Sequence, residues 1–309
     1  MPEITKVKTS NHDEWLALRS KYIGGSDAAA VVGLNPWVSP YSLWAEKTGK
    51  VPGFSGNLAT EVGTYLEEFV AIKFEAVTGK KVRRVNQSFF NSTYPWAIAN
   101  IDREVVGEDA GLEIKTTSEL NLKRFKGKEY PANYYCQCVH YLAVTGKQRW
   151  YLAALIGNRD FKWFEVERDE NEIASLMALE SDFFEHVKNN TSPGIDGTAA
   201  TAETLNTIYA ESSETSIELY GYDSLLDQYM AFGDQIRELE QQRNEYANKI
   251  KEYMGESENG IGNRYRVSWK SGARRTFDNK RFAKDNPGID LSDYYKETST
   301  RTFRVSEIK

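Results

Sequence analysis

The chain has 309 residues, of which 40% are hydrophobic and 27% charged, with a net charge of −6. That length holds one large domain or two smaller ones with a full core, and the composition is ordinary for a globular protein. An acidic total excludes a protein that coats nucleic acid non-specifically, although a local groove can still contact DNA. No apolar run reaches the roughly 20 residues of a membrane helix, and the polar start, Met1 to Lys6, lacks an apolar signal region. Cys136 and Cys138 sit two apart in a helical pattern and diverge around its axis, which argues against a zinc site and fits a reducing cytoplasm. Charge is uneven: about −2 over residues 1–195, about −8 over 196–254 and about +4 over 255–309.

In chain order, Trp15 to Arg19 reads as a short helix, followed by the tight Gly24-Gly25 turn, Ser26 as a cap, and a small-residue helix to Gly33. Asn35-Pro36-Trp37 is a loop, and Pro40 to Thr48 a helix ended by Gly49. An amphipathic helix spans about 58–78, with Val62, Leu66, Phe69, Val70, Ile72 and Phe74 as its apolar residues and Gly79 as its stop. Strands are expected at about 81–90, 95–106 and 111–117, then a polar loop, a helix from Pro131 to about 145, strands at 148–156 and 161–167, and a helix at 169–188. These elements predict an α/β domain, a mixed sheet flanked by helices, over residues 1–190. Residues 191–221 are rich in small polar residues and read as a linker or arm. Residues 222–309 read as a long helix to 254, with an apolar stripe through Leu225, Tyr229, Phe232, Ile236, Leu239, Tyr246 and Ile250, and a basic module with strands at 265–269 and 301–305.

The most informative stretch is Ile98 to Val106 followed by Gly111-Leu-Glu-Ile-Lys115. It reads as two neighbouring strands carrying Asp102, Glu113 and Lys115 toward one place. Glu113 and Lys115 are two apart and therefore share a strand face. Paired carboxylates beside a lysine suit a hard divalent cation and a water attacking a phosphodiester. Surface charges on a hairpin would give the same letters, but carboxylates among Ile98, Ile101, Leu112 and Ile114 are costly unless used. Tyr134, Gln137 and Tyr141 share one helix face. An exposed Glu67 on a helix is ordinarily solvated, as is Glu68. Arg19 and Ser26 flank the glycine turn, where a plain N-cap and an anion site are both open readings. Trp37 and Trp44 are expected in the core, with a base-wedging role for Trp37 as the alternative. His140 is a helix-face residue. Arg264, Arg266, Lys270, Arg274, Arg275, Lys280 and Arg281 either bind DNA or, as favoured here, balance the acidic helix.

Taken together, Arg19…Ile23-Gly-Gly-Ser26, Asn35-Pro-Trp37, Gly63-x-x-x-Glu67, Asp102…Glu113-Ile-Lys115 and Tyr134-x-x-Gln137-x-x-x-Tyr141 resemble the YqaJ-type phage recombinase exonucleases, relatives of lambda exonuclease in the PD-(D/E)XK nuclease superfamily. The resemblance covers about residues 12–190. Ile101 stands where the pattern has proline, and Asn100 where lambda exonuclease has a serine. The resemblance implies a restriction-endonuclease-like core and a catalytic set of Asp102, Glu113, Lys115, Gln137 and Tyr134. It implies two Mg²⁺ ions, with Mn²⁺ as a substitute, held by Glu67, Asp102, Glu113 and the Ile114 carbonyl. Arg19 and Ser26 would hold a terminal 5′-phosphate. The implied activity is 5′-to-3′ digestion of one strand of linear duplex DNA, leaving 3′ tails for recombination in a bacterial host's cytoplasm. A single-strand annealing protein is the implied partner, and a homo-oligomer, by analogy a trimer, the implied assembly. A structure- or sequence-specific endonuclease and a non-catalytic DNA-end binding module are the alternatives.

Overall fold

In a computed structural model of the chain, residues 3–296 and 301–306 are described. The chain divides into two compact units, Met1–Tyr209 and Ala210–Lys309. The first opens with β1 (Ile4–Val7), α1 (His12–Arg19), β2 (Ile23–Gly24), α2 (Gly25–Val31), α3 (Pro40–Lys47) and α4 (Leu58–Thr78). There follow β3 (Val82–Arg84), β4 (Ser88–Asn91), β5 (Ala97–Asn100), β6 (Arg103–Val105) and β7 (Ala110–Thr117). A 3-10 turn at Glu119–Arg124 leads to α5 (Ala132–Thr145), β8 (Arg149–Ile156), β9 (Asp160–Glu167), α6 (Glu170–Lys188) and α7 (Ala199–Ile208).

Two sheets result. A five-stranded mixed sheet runs β3-β6-β7-β8-β9, in which β7 and β8 are parallel and the other pairs antiparallel. A four-stranded sheet runs β1-β4-β5-β2. The parallel pair needs a crossover, and α5 supplies it. Cys138, Val139, Leu142, Ala143 and Val144 of α5 share one core with Phe89, Ala97 and Ala99 of the small sheet and Trp150, Leu152 and Ala154 of the large one. The helix thus lies between the sheets, which is why it is buried from Cys136 to Thr145. A fully buried Leu142 contributes about 1.5–3 kcal/mol.

The opposite face of the large sheet is covered by α4. Asn57 caps this helix through its side chain, and Gly79 ends it in the left-handed conformation at φ 74°. Val70, Ala71 and Phe74 pack on Leu112, Ile114, Tyr151 and Ala153. Val62, Phe69 and Ile72, expected on the apolar face, are exposed instead. The mixed sheet flanked by helices and the long C-terminal helix are as expected.

Four differences from the sequence reading have physical causes. The strand expected at 95–106 is two strands in different sheets, β5 and β6, with Ile101-Asp102 at the crossing. The strand expected at 81–90 divides likewise into β3 and β4. Part of the segment read as a linker, 199–208, is helix α7, and the boundary at 190 moves to Tyr209. There Thr201 and Thr204 bond the Ser39 and Ser42 hydroxyls of α3 at 2.7 and 2.8 Å, and Leu205 and Ile208 pack on the α3 core. Finally, β1 pairs with β4 although its polar sequence, Ile4-Thr-Lys-Val7, gave no strand signal.

The second unit holds α8 (Asp223–Met254), a hairpin of β10 (Asn259–Ile261) and β11 (Arg266–Ser268), and α9 (Asn279–Asp285). The hairpin folds back on the helix end, where Gly260 lies beside Met254. The described residues 301–306 form no strand, contrary to expectation.

Candidate active site

The break between the sheets builds the site. Asp102, released from strand pairing, turns its carboxylate to accept the Ile114 backbone N–H at 2.7 Å. That bond ties the crossing to the middle of β7, whose alternation sends Leu112 and Ile114 to the α4 side and Glu113 and Lys115 to the other. Lys115 Nζ lies 2.6 Å from Glu113 Oε1 and 5.4 Å from the centre of the Tyr134 ring. Gln137 donates its side-chain amide to Glu113 Oε1 at 2.7 Å and to the Tyr141 hydroxyl oxygen at 2.8 Å. Glu113 is 2% exposed, and its second oxygen, Oε2, is buried without a hydrogen-bond partner.

The electrostatics follow from burial. Burial, then the neighbouring Glu113 charge, push the Asp102 carboxyl well above the usual carboxylate range. Burial also raises Glu113. Burial alone would lower the Lys115 ammonium, but Glu113 and Asp102 outweigh it and hold it above the ordinary lysine value.

Glu67 of α4 faces the same cleft, of about 740 Å³, together with Asp102, Glu113, Lys115, Trp37 and Phe54. Its carboxylate is held by Arg103 and by Arg84, the latter at 3.4 Å. Arg103 also binds Glu68 at 2.9 Å, so Glu68 is not merely solvated. Glu67 is thus engaged by arginines, and among the described residues no group of three His, Cys, Asp or Glu side chains is placed to hold one metal ion. Asp102 and Glu67 also border a second, polar cleft with Trp15, Arg84 and Asn100. Asn100 Oδ1 is engaged there by the Trp15 indole N–H at 3.1 Å and the Ser88 hydroxyl at 2.6 Å.

Arg19 donates to the Ser26 hydroxyl at 2.5 Å and stacks over the Trp15 ring at 5.3 Å. Ser26 lies inside α2, with Gly24 as N-cap. The capping role falls to Asp27, whose carboxylate accepts the Gly24 N–H at 3.0 Å and pairs with buried Lys47 at 2.7 Å. Trp44 is buried as expected, but Trp37 is 66% exposed on the cleft rim. The Asn35 side chain accepts the Trp37 and Val38 N–H groups and so fixes this loop outward. His140 lies on the inward face of α5. It is fully buried, with Nδ1 2.8 Å from Glu180 and Nε2 3.0 Å from the Ile98 carbonyl oxygen.

Comparisons with known proteins give the family. Residues 14–148 match the model of the YqaJ-like viral recombinase domain. A Bacillus subtilis (strain 168) protein, the uncharacterized protein YqaJ, is 38% identical over 99% of this chain and 97% of its own length. The chain belongs to the YqaJ-like viral recombinase family. A shorter likeness, 42% identity over 55 residues covering 18% of this chain and 16% of the relative, links it to protein D345L of African swine fever virus. Among solved structures, the alkaline exonuclease LHK-Exo from Laribacter hongkongensis is similar with a TM-score of 0.48 and 22% identity, over 58% of this chain and 94% of its own. A phage-related exonuclease from Haemophilus somnus 129PT gives 0.43 and 12%, over 57% and 99%.

Within this family member, the residues that sequence reasoning missed are Arg103 and Arg84, which hold Glu67. Arg103 carried a signal: it directly follows Asp102, in an apolar strand where a charge is costly. Arg84 carried none.

Proposed function

We propose that the chain is a divalent-metal-dependent deoxyribonuclease that digests one strand of linear duplex DNA from its 5′ end, leaving 3′ single-stranded tails for recombination in a bacterial host's cytoplasm. One observation carries the reading: a buried Glu113 with Oε2 unpaired, flanked by half-buried Asp102 and Lys115, at a cleft that Glu67 also faces. An unpartnered buried carboxylate oxygen is costly, and an all-oxygen donor set fits Mg²⁺ or Mn²⁺. Asp102, Glu113 and the Ile114 carbonyl would hold the metal, with Glu67 joining them for two ions once it leaves Arg103 and Arg84; when bound, the metal would supply Lewis-acid polarisation of a phosphoryl oxygen and a more acidic water.

The chain's own residues supply the rest. Lys115 holds the attacking water or takes its proton, and its cationic form stabilises charge growing on the phosphate. Gln137 fixes Glu113 and Tyr141, and the Tyr134 ring fixes Lys115 from below. Arg19 and Ser26, on the far side of Gly25 and Tyr141, offer a cation and a hydroxyl to a terminal 5′-phosphate. Trp37 and Phe54 stand exposed on the cleft rim, where apolar rings can stack on the bases of a fraying end.

The test uses a linear duplex phosphorylated at one 5′ end only, with a closed circular duplex as control. Loss of one strand from the phosphorylated end, with the circle intact, is expected. Arg19→Ala should abolish the preference for that end while leaving Mg²⁺-dependent cutting measurable. Cutting of the circle would replace the exonuclease reading by an endonuclease one, and no cutting of either substrate would defeat both.

A further inference from the structure

Helix α8 carries a seam that its own unit does not bury. Leu225, Tyr229, Phe232, Ile236, Leu239, Arg243, Tyr246, Ile250 and Tyr253 follow at strictly alternating intervals of four and three. This is the 3.5-residue period of a coiled coil, narrower than the stripe with which a helix beds onto a globular surface. The apolar members are exposed, from 45% at Ile250 to 94% at Tyr253. Phe303 meets Tyr229 edge-on at 5.6 Å, at one end of the seam.

We propose that α8 pairs with α8 of a second copy of this chain as an antiparallel two-stranded coiled coil. Charge decides both occupant and direction. Seven of the eight positions flanking the seam between 226 and 249 carry no acid: Leu226, Gly233 and Ala247 on one side, Gln228, Gln235, Gln242 and Lys249 on the other, with Glu240 the exception. The remaining acids, such as Asp234, Glu238 and Glu245, lie on the far side. Two copies can therefore approach without like-charge contact, and the flanks do not select a partner of opposite charge.

A parallel pair would set Arg243 against Arg243 in the seam. The antiparallel register that centres the seam removes this clash. It places Ile236 against Leu239, Phe232 against Arg243, Tyr229 against Tyr246 and Leu225 against Ile250, so the one seam cation lies on an aromatic face. Gly233 also finds a use. It sits mid-helix with open space around it, at a cost of about 1 kcal/mol relative to alanine, and a glycine beside the seam lets a second helix approach closely.

The full chain at micromolar concentration tests this by light scattering and cysteine cross-linking. Ile236→Glu combined with Leu239→Glu should raise the dissociation constant at least about a hundredfold and halve the native mass. Under mild oxidation, an Ile236→Cys chain mixed with a Leu239→Cys chain should cross-link faster than either alone; Cys136 and Cys138 are buried and do not compete. A monomeric parent chain, a mass unmoved by the double substitution, or Ile236→Cys cross-linking by itself as fast as the mixture would each overturn the proposal. If the doubly substituted chain fails to fold, the cysteine mixture alone decides. None of these readouts depends on nuclease activity.

Discussion

A β-carbon on Gly25 would lie 2.5 Å from the Tyr141 ring. The glycine turn between Arg19 and Ser26 therefore rests against the tyrosine whose hydroxyl meets Gln137, and through Gln137 on Glu113. One chain of contacts joins the proposed phosphate clamp to the acidic pair. Gly25→Ala must move either the turn or the ring. The expected result is a stability loss of about 1–3 kcal/mol, as for other overpacked sites, together with slower turnover. Urea unfolding and a single-turnover DNA assay would show both; a variant as stable and fast as the parent would break the link.

Lys115 bears on the chemistry directly. Lys115→Ala should lower the DNA cleavage rate by about a hundredfold to ten-thousandfold, with little loss of stability, since its neighbour Glu113 is already raised by burial and has Gln137 as a second partner. Gln137→Ala should slow cleavage less, because it positions Glu113 without meeting substrate. Rates measured with saturating metal separate the two, and equal losses would contradict these roles.

Metal binding should depend on pH. Asp102 is raised above the usual carboxylate range by burial and Glu113, so it keeps its proton to higher pH than an ordinary aspartate. A cation needs the ionised form, and its binding must expel that proton. Apparent Mn²⁺ affinity should therefore fall as pH falls from alkaline toward acid. Calorimetry in buffers of different ionisation enthalpy should detect proton release. Asp102→Asn should weaken both effects, leaving the share of Glu113, which burial also raises.

The His140–Glu180 pair predicts a stability profile. Burial alone would lower the imidazolium, but Glu180 and the Ile98 carbonyl oxygen outweigh it and raise it above the ordinary histidine value. A raised folded-state pKa means the pair's contribution is complete below the unfolded value and is lost as pH rises through the folded one. The urea midpoint should decline as pH rises above the ordinary histidine range. Glu180→Gln should be less stable near neutral pH, by about 3–5 kcal/mol if the imidazolium stays charged without its partner, and should show a flatter alkaline decline.

Periodicity, glycine stops and capping residues made most helices legible: α4 and α5 end where Gly79 and Gly146 end them. The spacing of Glu113 and Lys115 fixed their shared face, because strand alternation is local. Divisions within extended runs were not legible. Ile98 to Val106 reads as one strand, and nothing local says that the chain changes sheets at Ile101-Asp102. Nor does Thr201 or Thr204 announce that it will bond a serine 162 residues earlier.

The sequence by itself determined most of the helices and the residue types of the site, since short-range sterics and hydrophobic period decide these, and its spaced motifs pointed to the family. Only the tertiary structure decided that Asp102 lies at a crossing between sheets, bonded to Ile114, and that Arg103 and Arg84 hold Glu67. It also decided that Trp37 faces the cleft and that His140 is buried against Glu180. Each of these depends on a partner distant in sequence, and burial converts that partner's charge or hydrogen bond into the property that matters.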